Sequence, residues 1–131
     1  MTRKKKTLLE EAETIPKPAA VETASVDNLR SSLEEIKTYE GVIGYILRNS
    51  TSASIDLKDP TKIIDYAILS SSALDASKEL SELFSLGELK NVIVEGKDAK
   101  MLSLTVYENN VSVFLEKDAD LEKILNKLRL L

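Results

Sequence analysis

The longest uninterrupted pattern in the chain predicts one long helix, from Asp59 to Gly87. No glycine or proline interrupts the stretch between Pro60 and Gly87. Asp59 is suited to accept hydrogen bonds from the first free amides, Pro60 fits the first helical position, and Gly87 suits the left-handed residue that ends a helix. The pattern therefore predicts a helix of about 26 residues, more than twice the usual length.

The side chains of this helix do not form one simple stripe at about 100° per residue. One flank carries Tyr66, Leu69, Ala73, Ala76, Leu80 and Leu83. We expect Leu74, Leu80 and Phe84 to lead the core of the domain. The far side carries charges in its second half, but in its first half it carries only Ile64, Ile68, Ser71 and Ser72. Such a helix is covered on two sides, either by a second molecule or by a neighbouring element of the same chain.

Period-two patterns predict two strands before the long helix and three after it. Residues 42–47 are apolar on both alternating faces, as in a central strand, and residues 53–57 alternate. After the helix, residues 89–95, 101–107 and 111–116 show strand patterns. We expect a tight hairpin at residues 108–110, because asparagine tolerates positive φ.

Two shorter helices complete the predicted domain. Leu29, Leu33 and Ile36 fall on one face of a first helix at residues 25–40, and Asp118 or Asp120 caps a last one. The element order is therefore α-β-β-α-β-β-β-α. It predicts an α+β fold in which an antiparallel sheet of about five strands carries helices on both faces.

The first 24 residues differ from the rest of the chain. Residues 3–6 are basic, acidic residues follow at 10, 11 and 13, and we expect Pro16 and Pro18 to block regular structure. This composition predicts a flexible tail at residues 1–24 and an ordered domain at residues 25–131. The basic run is suited to a membrane or a polyanion, but a solvated tail explains it more simply.

Composition narrows the classes of function. The 131 residues include 18 basic and 22 acidic side chains, and the net charge of −4 does not favour nucleic acid or an anionic membrane as partner. The chain has no cysteine and no histidine, which excludes disulfides, thiolate chemistry and the commonest metal ligand. No apolar run is long enough for a membrane span, so we expect a cytoplasmic protein.

No motif for catalysis or cofactor binding stands out. A phosphate-binding GxxxxGK[ST] loop is missing from the sequence. Asp118, Asp120 and Glu122 form the one dense carboxylate cluster, and helix capping explains them better than a metal does. Ser70, with the two serines after it, has no basic partner nearby in sequence. We therefore expect no catalytic, metal-binding or cofactor-binding residue, and no enzyme.

The chain resembles the Roadblock domain family, which includes dynein light chains, Ragulator-type scaffolds and MglB-like regulators of Ras-like GTPases. The likeness covers residues 28–131. It rests on the long small-residue helix and on the segments LEEIKTYEGVIGYILRN, LGELKNVIVEG and LSLTVYENNVSVFLEKDADL. One feature departs from the family: many members carry Asp-Gly in the turn between the first two strands, where this chain has residues 49–52, NSTS.

The resemblance implies a homodimer in which the long helix packs on its mate and the following strand pairs with its mate. Small side chains allow such close approach, and the strand would otherwise be an unprotected edge. The expected interface residues are Ile64, Ile68, Ser71, Ser72, Leu89, Val92 and Val94.

The resemblance also implies a non-catalytic regulator or binding partner of a Ras-like small GTPase. Arg48, at the end of a strand, is the basic residue we expect to contact it. The alternative is a structural dimerisation module, a scaffold in a larger complex with no effect on GTP hydrolysis.

Overall fold

The computed structural model describes residues 16–131. Three helices are present in this part: α1 (Pro16–Lys37), α2 (Ile63–Leu83) and α3 (Leu121–Arg129). Five strands accompany them: β1 (Val42–Arg48), β2 (Ala53–Leu57), β3 (Val92–Glu95), β4 (Ala99–Val106) and β5 (Asn109–Glu116). This order confirms the predicted α+β arrangement.

The five strands form one antiparallel sheet in the order β2-β1-β5-β4-β3. β1 pairs with a strand on each side, as its doubly apolar pattern predicts, and β2 and β3 are the edges. Helices α1 and α3 cover one face and α2 covers the other. The sheet therefore separates two cores, as the sequence pattern predicts.

The core under α1 and α3 is the larger of the two. Leu29, Leu33 and Ile36 are fully buried there, against residues of β1, β5 and α3. The Tyr45 hydroxyl donates to Glu34 Oε2 at 2.6 Å. Burial raises the pKa of Tyr45, and this hydrogen bond raises it further. An apolar face with a polar rim thus fixes α1 on the sheet.

Gly44 makes the close contact between β1 and β2 possible. Its φ is +156°, and a Cβ there would lie 2.2 Å from the Asp56 carbonyl oxygen. The pairing of β1 with β5 shifts between Val42 and Gly44. Only a residue without a side chain fits this irregularity.

Helix α1 begins earlier than the sequence pattern indicates. It starts at Pro16, whereas we expected Pro16 and Pro18 to block regular structure and the helix to begin at residue 25. The expectation was wrong because the first amides of a helix have no acceptor within it, so prolines in the first turn break no hydrogen bond. Residues 1–15 of the predicted tail lie outside the described residues, and the domain boundary stays a prediction.

The two ends of the long helix differ from expectation in different ways. Asp59 caps as predicted, with its Oδ1 accepting from Thr61 N at 3.0 Å, but it caps a short 3₁₀ turn at Pro60–Lys62. At the other end Ser85, with φ +53°, is the left-handed residue. Leu86 N donates to the carbonyl of Ser81 at 3.0 Å, as in a Schellman motif. The left-handed position therefore falls at Ser85, two residues before Gly87, and the helix ends at Leu83; Gly87 also has positive φ.

The hairpin between β4 and β5 is tighter than predicted. Tyr107 and Glu108 carry the positive φ values, +50° and +64°, and Asn109 is already in β5. The buried Asn109 donates from Nδ2 to the carbonyl of Tyr107 at 2.8 Å. The asparagine thus supports the turn from the strand. β3 is also shorter than the predicted 89–95 strand, because only Val92–Glu95 pair with β4.

Candidate interaction surface

The underside of α2 is fixed on β4 and β5 by stacked rings and a chain of hydroxyls. The Tyr66 ring stacks on Phe114 with centroids 4.6 Å apart. Ser70 Oγ lies 2.6 Å from Ser112 Oγ, which lies 2.5 Å from Ser103 Oγ, and all three serines are buried. These contacts define which side of α2 faces its own sheet.

Two further contacts identify the flanks of α2. On one side the Ser71 hydroxyl accepts from Arg48 Nη1 of β1 at 2.7 Å. On the other, Tyr66 and Leu69 line a small cavity with Val94 of β3. In the first half of α2, one flank therefore faces β1 and the other faces Val94 and the β3–β4 hairpin. At 100° per residue, this assigns every exposed position of the helix to a side.

The flank that faces β3 is a continuous apolar stripe, which we call the seam. Its residues recur at alternating spacings of three and four: Tyr66, Leu69, Ala73, Ala76, Leu80 and Leu83. None is charged. Leu69 is 37% exposed and Leu80 is 51% exposed. Soluble helices do not normally present such a stripe to water, so the seam needs a second cover.

Leu80 and Phe84 are therefore not part of the core of the domain, contrary to the sequence-based expectation. Of the three residues expected to lead that core, Leu74 is buried, whereas Leu80 is 51% and Phe84 is 69% exposed. The 3-4 spacing was visible in the sequence. The spacing alone does not show which surface covers the apolar stripe. The sheet contacts only the side of the helix that carries Ser70 and Leu74.

The edge of β3 lies beside the seam. Among the described strands β3 pairs only with β4. Val92 and Val94 are half-buried and alternate toward α2, where Val94 joins the core. Leu89 is half-buried and lines a cavity of about 330 Å³ under the second half of α2. Of these three predicted interface residues, Val94 therefore lies next to the seam, whereas Leu89 and Val92 share their cavity with Lys78, Ser81 and Glu82 of α2, which are not seam residues.

A second set of exposed apolar residues, which we call the isoleucine patch, consists of Ile64 and Ile68 on the flank of α2 that faces β1 and of Ile55 on β2. Ile64 is 72% exposed and Ile68 is 60% exposed. Ile55 lies opposite Ile46 in the pairing of β1 with β2, so it shares the α2 face of the sheet, and it is also exposed. The structure thus places Ile64, Ile68 and Ser71 on the opposite flank of α2 from the seam, with Ser72 on the outward side of the helix.

Arg48 lies at the edge of the isoleucine patch. It is half-buried and bonded to Ser71, so it is held against α2 and not free in a loop. Among residues 26–131, whose side chains the structure describes, no carboxylate lies within 4.0 Å of its guanidinium. Beyond it, Asn49 Oδ1 accepts from the amides of Thr51 and Ser52, both at 2.9 Å. The asparagine side chain closes the turn that Asp-Gly closes in many Roadblock domains.

The architecture matches a solved Roadblock/LC7 domain from Streptomyces avermitilis. The likeness covers 77% of this chain and 85% of that one, with a TM-score of 0.61 and 14% sequence identity. The chain therefore has the Roadblock/LC7 fold. The sequence matches no protein-family model, and the comparison with curated proteins found no match.

The described side chains, those of residues 26–131, contain no group of three or more carboxylates placed to hold a metal ion. None of the three helices is long and apolar enough to cross a membrane. The seam, the β3 edge and the isoleucine patch are apolar or unpaired surfaces that this part of the chain leaves exposed.

Proposed function

We propose that this protein is a non-catalytic homodimeric binding module that docks a Ras-like small GTPase in the cytoplasm. One observation carries the proposal: an uncharged apolar seam on α2 is exposed and, at Tyr66 and Leu69, lies beside Val94 of the edge strand β3. The seam and the β3 edge both need a covering surface, and the same seam and edge of a second copy of the chain supply it. The fold, shared with Roadblock/LC7 domains, supports a small regulatory or binding domain.

The seam is complementary to itself when two helices run antiparallel. Around a two-fold axis midway between Ala73 and Ala76, Leu69 of one protomer meets Leu80 of the other. The small residues stand where the helices come closest and the leucines stand on either side, which allows close packing. The β3 edges then run side by side, with Leu89, Val92 and Val94 along the junction.

The opposite flank does not suit the same two-fold arrangement. In an antiparallel pair, Ile64 and Ile68 would meet the second half of the mate's α2, which carries Glu79 and Glu82 on that side. Isoleucines against exposed carboxylates gain little. Membership of Ile64, Ile68, Ser71 and Ser72 in the dimer interface stays a prediction, and the structure favours a different role for the isoleucines.

We assign the isoleucine patch and Arg48 to the GTPase. Three exposed isoleucines form an apolar anchor, and a half-buried arginine without a carboxylate partner among the described residues offers donors to an acidic side chain. Ras-like GTPases change their switch loops with the bound nucleotide, so a partner that holds those loops responds to the nucleotide state. The chain would act by holding a conformation, without supplying a catalytic base.

A binding experiment with purified small GTPases from the source organism tests the proposal. Each is loaded with GDP or with a non-hydrolysable GTP analogue and mixed with the wild type or the double variant Ile64→Ser/Ile68→Ser. State-dependent binding that the double variant loses supports the assignment. Absence of binding in either state leaves the alternative, a dimerisation scaffold without effect on GTP hydrolysis, in which the isoleucine patch holds another protein.

A further inference from the structure

A small apolar cavity opens on the seam side of the molecule. It has a volume of about 140 Å³ and lies between α2 and the β3–β4 hairpin. Its apolar wall consists of Tyr66, Leu69, Val94, Met101 and Phe114. Cavities of about 150 Å³ with walls of this kind bind benzene. The cavity therefore has the size and chemistry to hold one phenyl ring.

An exposed phenyl ring lies on the same flank, at the far end of the helix. Phe84 follows Tyr66 by 18 residues, which is about five turns, so the two side chains point from the same side of α2. Phe84 is 69% exposed. The two residues are separated by about 27 Å along the helix, so Phe84 cannot reach the cavity of its own chain.

The two-fold seam brings this ring to the cavity of the mate. When Leu69 meets Leu80 and Tyr66 meets Leu83 across the antiparallel pair, Phe84 falls beside the mate's Tyr66, at the mouth of its cavity. We propose that Phe84 of each protomer inserts into the 140 Å³ cavity of the other, so that each cavity is completed by the partner copy. This inference rests on the proposed homodimer and names its anchor.

The sequence offers a direct reporter for this contact. The chain has no tryptophan, so Phe84→Trp introduces a single one. We expect its emission to shift to shorter wavelength as the protein concentration rises through the dissociation constant of the dimer, with loss of iodide quenching. Leu86→Trp, at an exposed position two residues later, is the control and should keep solvent-exposed emission. A Phe84→Trp protein of dimer mass whose emission stays that of exposed tryptophan overturns the inference.

A mixing experiment separates insertion from general destabilisation. Phe84→Ala removes the ring, and Ala99→Leu places a side chain in the cavity, which Ala99 lines. Each variant alone should dimerise roughly 100-fold more weakly than wild type, because two phenyl contacts are lost per dimer. A mixture contains heterodimers in which one intact ring meets one intact cavity. We therefore expect heterodimers to form more tightly than either homodimer.

The outcomes distinguish the inference from the proposal on which it rests. A wild-type protein that has monomer mass at all accessible concentrations refutes both the insertion of Phe84 and the proposed homodimer. A wild-type dimer that Phe84→Ala leaves unchanged refutes only the insertion. Heterodimers no tighter than the two homodimers also refute it, because the variants would then act by distorting their own chain. Circular dichroism and melting of each variant confirm that the compared proteins are folded.

Discussion

The substitution Leu80→Glu should convert the protein into a folded monomer. Leu80 lies in the seam with about half of its side chain exposed, and in the proposed dimer it packs on Leu69 of the mate. Within its own chain it contributes little to the core, so the domain should keep its fold. A glutamate there must either be buried against an apolar helix or force the two helices apart.

The magnitude follows from the exposed fractions. Full burial of a leucine contributes about 1.5–3 kcal/mol, so burying the exposed half of Leu80 contributes about 1 kcal/mol per protomer and about 2 kcal/mol per dimer. The glutamate removes this gain, and desolvating its carboxylate adds several kcal/mol per ion. The sum therefore exceeds about 4 kcal/mol, which corresponds to a dimer at least roughly 1,000-fold weaker.

Light scattering across a concentration series, with sedimentation equilibrium for the dissociation constant, measures the effect. The matched variant is Ile68→Glu, which introduces the same charge on the same helix, at a position 60% exposed on the opposite flank. We expect Ile68→Glu to remain dimeric and to lose GTPase binding. If Leu80→Glu stays dimeric with unchanged affinity while Ile68→Glu is a monomer, the interface lies on the isoleucine flank and the reasoning is refuted.

Three further predictions concern the domain itself. Ser112→Ala should lower the free energy of unfolding in urea by about 2 kcal/mol, because it leaves the buried hydroxyls of Ser70 and Ser103 without their shared partner; no change would contradict this. The hydrogen bond from Lys127 is the main cause that lowers the pKa of Glu35 from its ordinary value of 4.5. The stability that this pair contributes is therefore present above pH 4.5 and is lost as the pH falls through the pKa that Glu35 has in the folded protein. The melting-temperature difference between wild type and Glu35→Gln should therefore shrink in acid, and a difference that grows below pH 4.5 would contradict the pairing. The protein alone should hydrolyse no GTP in a phosphate-release assay, and stoichiometric nucleotide in the purified sample would show a site that the sequence pattern does not predict.

The fold was predictable because each local pattern agrees with the global arrangement. The doubly apolar residues 42–47 became the paired strand β1, and the i, i+4, i+7 spacing of Leu29, Leu33 and Ile36 became the buried face of α1. Element boundaries were less predictable. The turn residues Ser85 and Glu108 adopt positive φ although neither is glycine or asparagine. The surrounding structure determines such conformations, and propensity alone does not.

The candidate site was predictable only in part, because a stripe on a helix does not reveal its cover. The sequence correctly indicated that α2 has more apolar surface than one domain covers. It assigned Leu80 and Phe84 to the core together with Leu74, although only Leu74 is buried. The three residues differ only in whether the sheet, which contacts one side of α2, covers them. The hydrogen bond from Arg48 to Ser71 joins residues 23 positions apart, and no local pattern predicts it.

Disulfide trapping at the centre of the seam tests the homodimer most directly, because the chain has no cysteine of its own. One chain carries Ala73→Cys and the other carries Ala76→Cys, and the mixture is oxidised mildly at micromolar concentration. Antiparallel packing about an axis between these positions predicts a covalent heterodimer on a non-reducing gel, since the two Cα atoms would lie within disulfide reach. The control mixture joins Ile64→Cys with Ile68→Cys. Cross-linking of the isoleucine pair without cross-linking of the alanine pair would contradict the seam as the dimer interface.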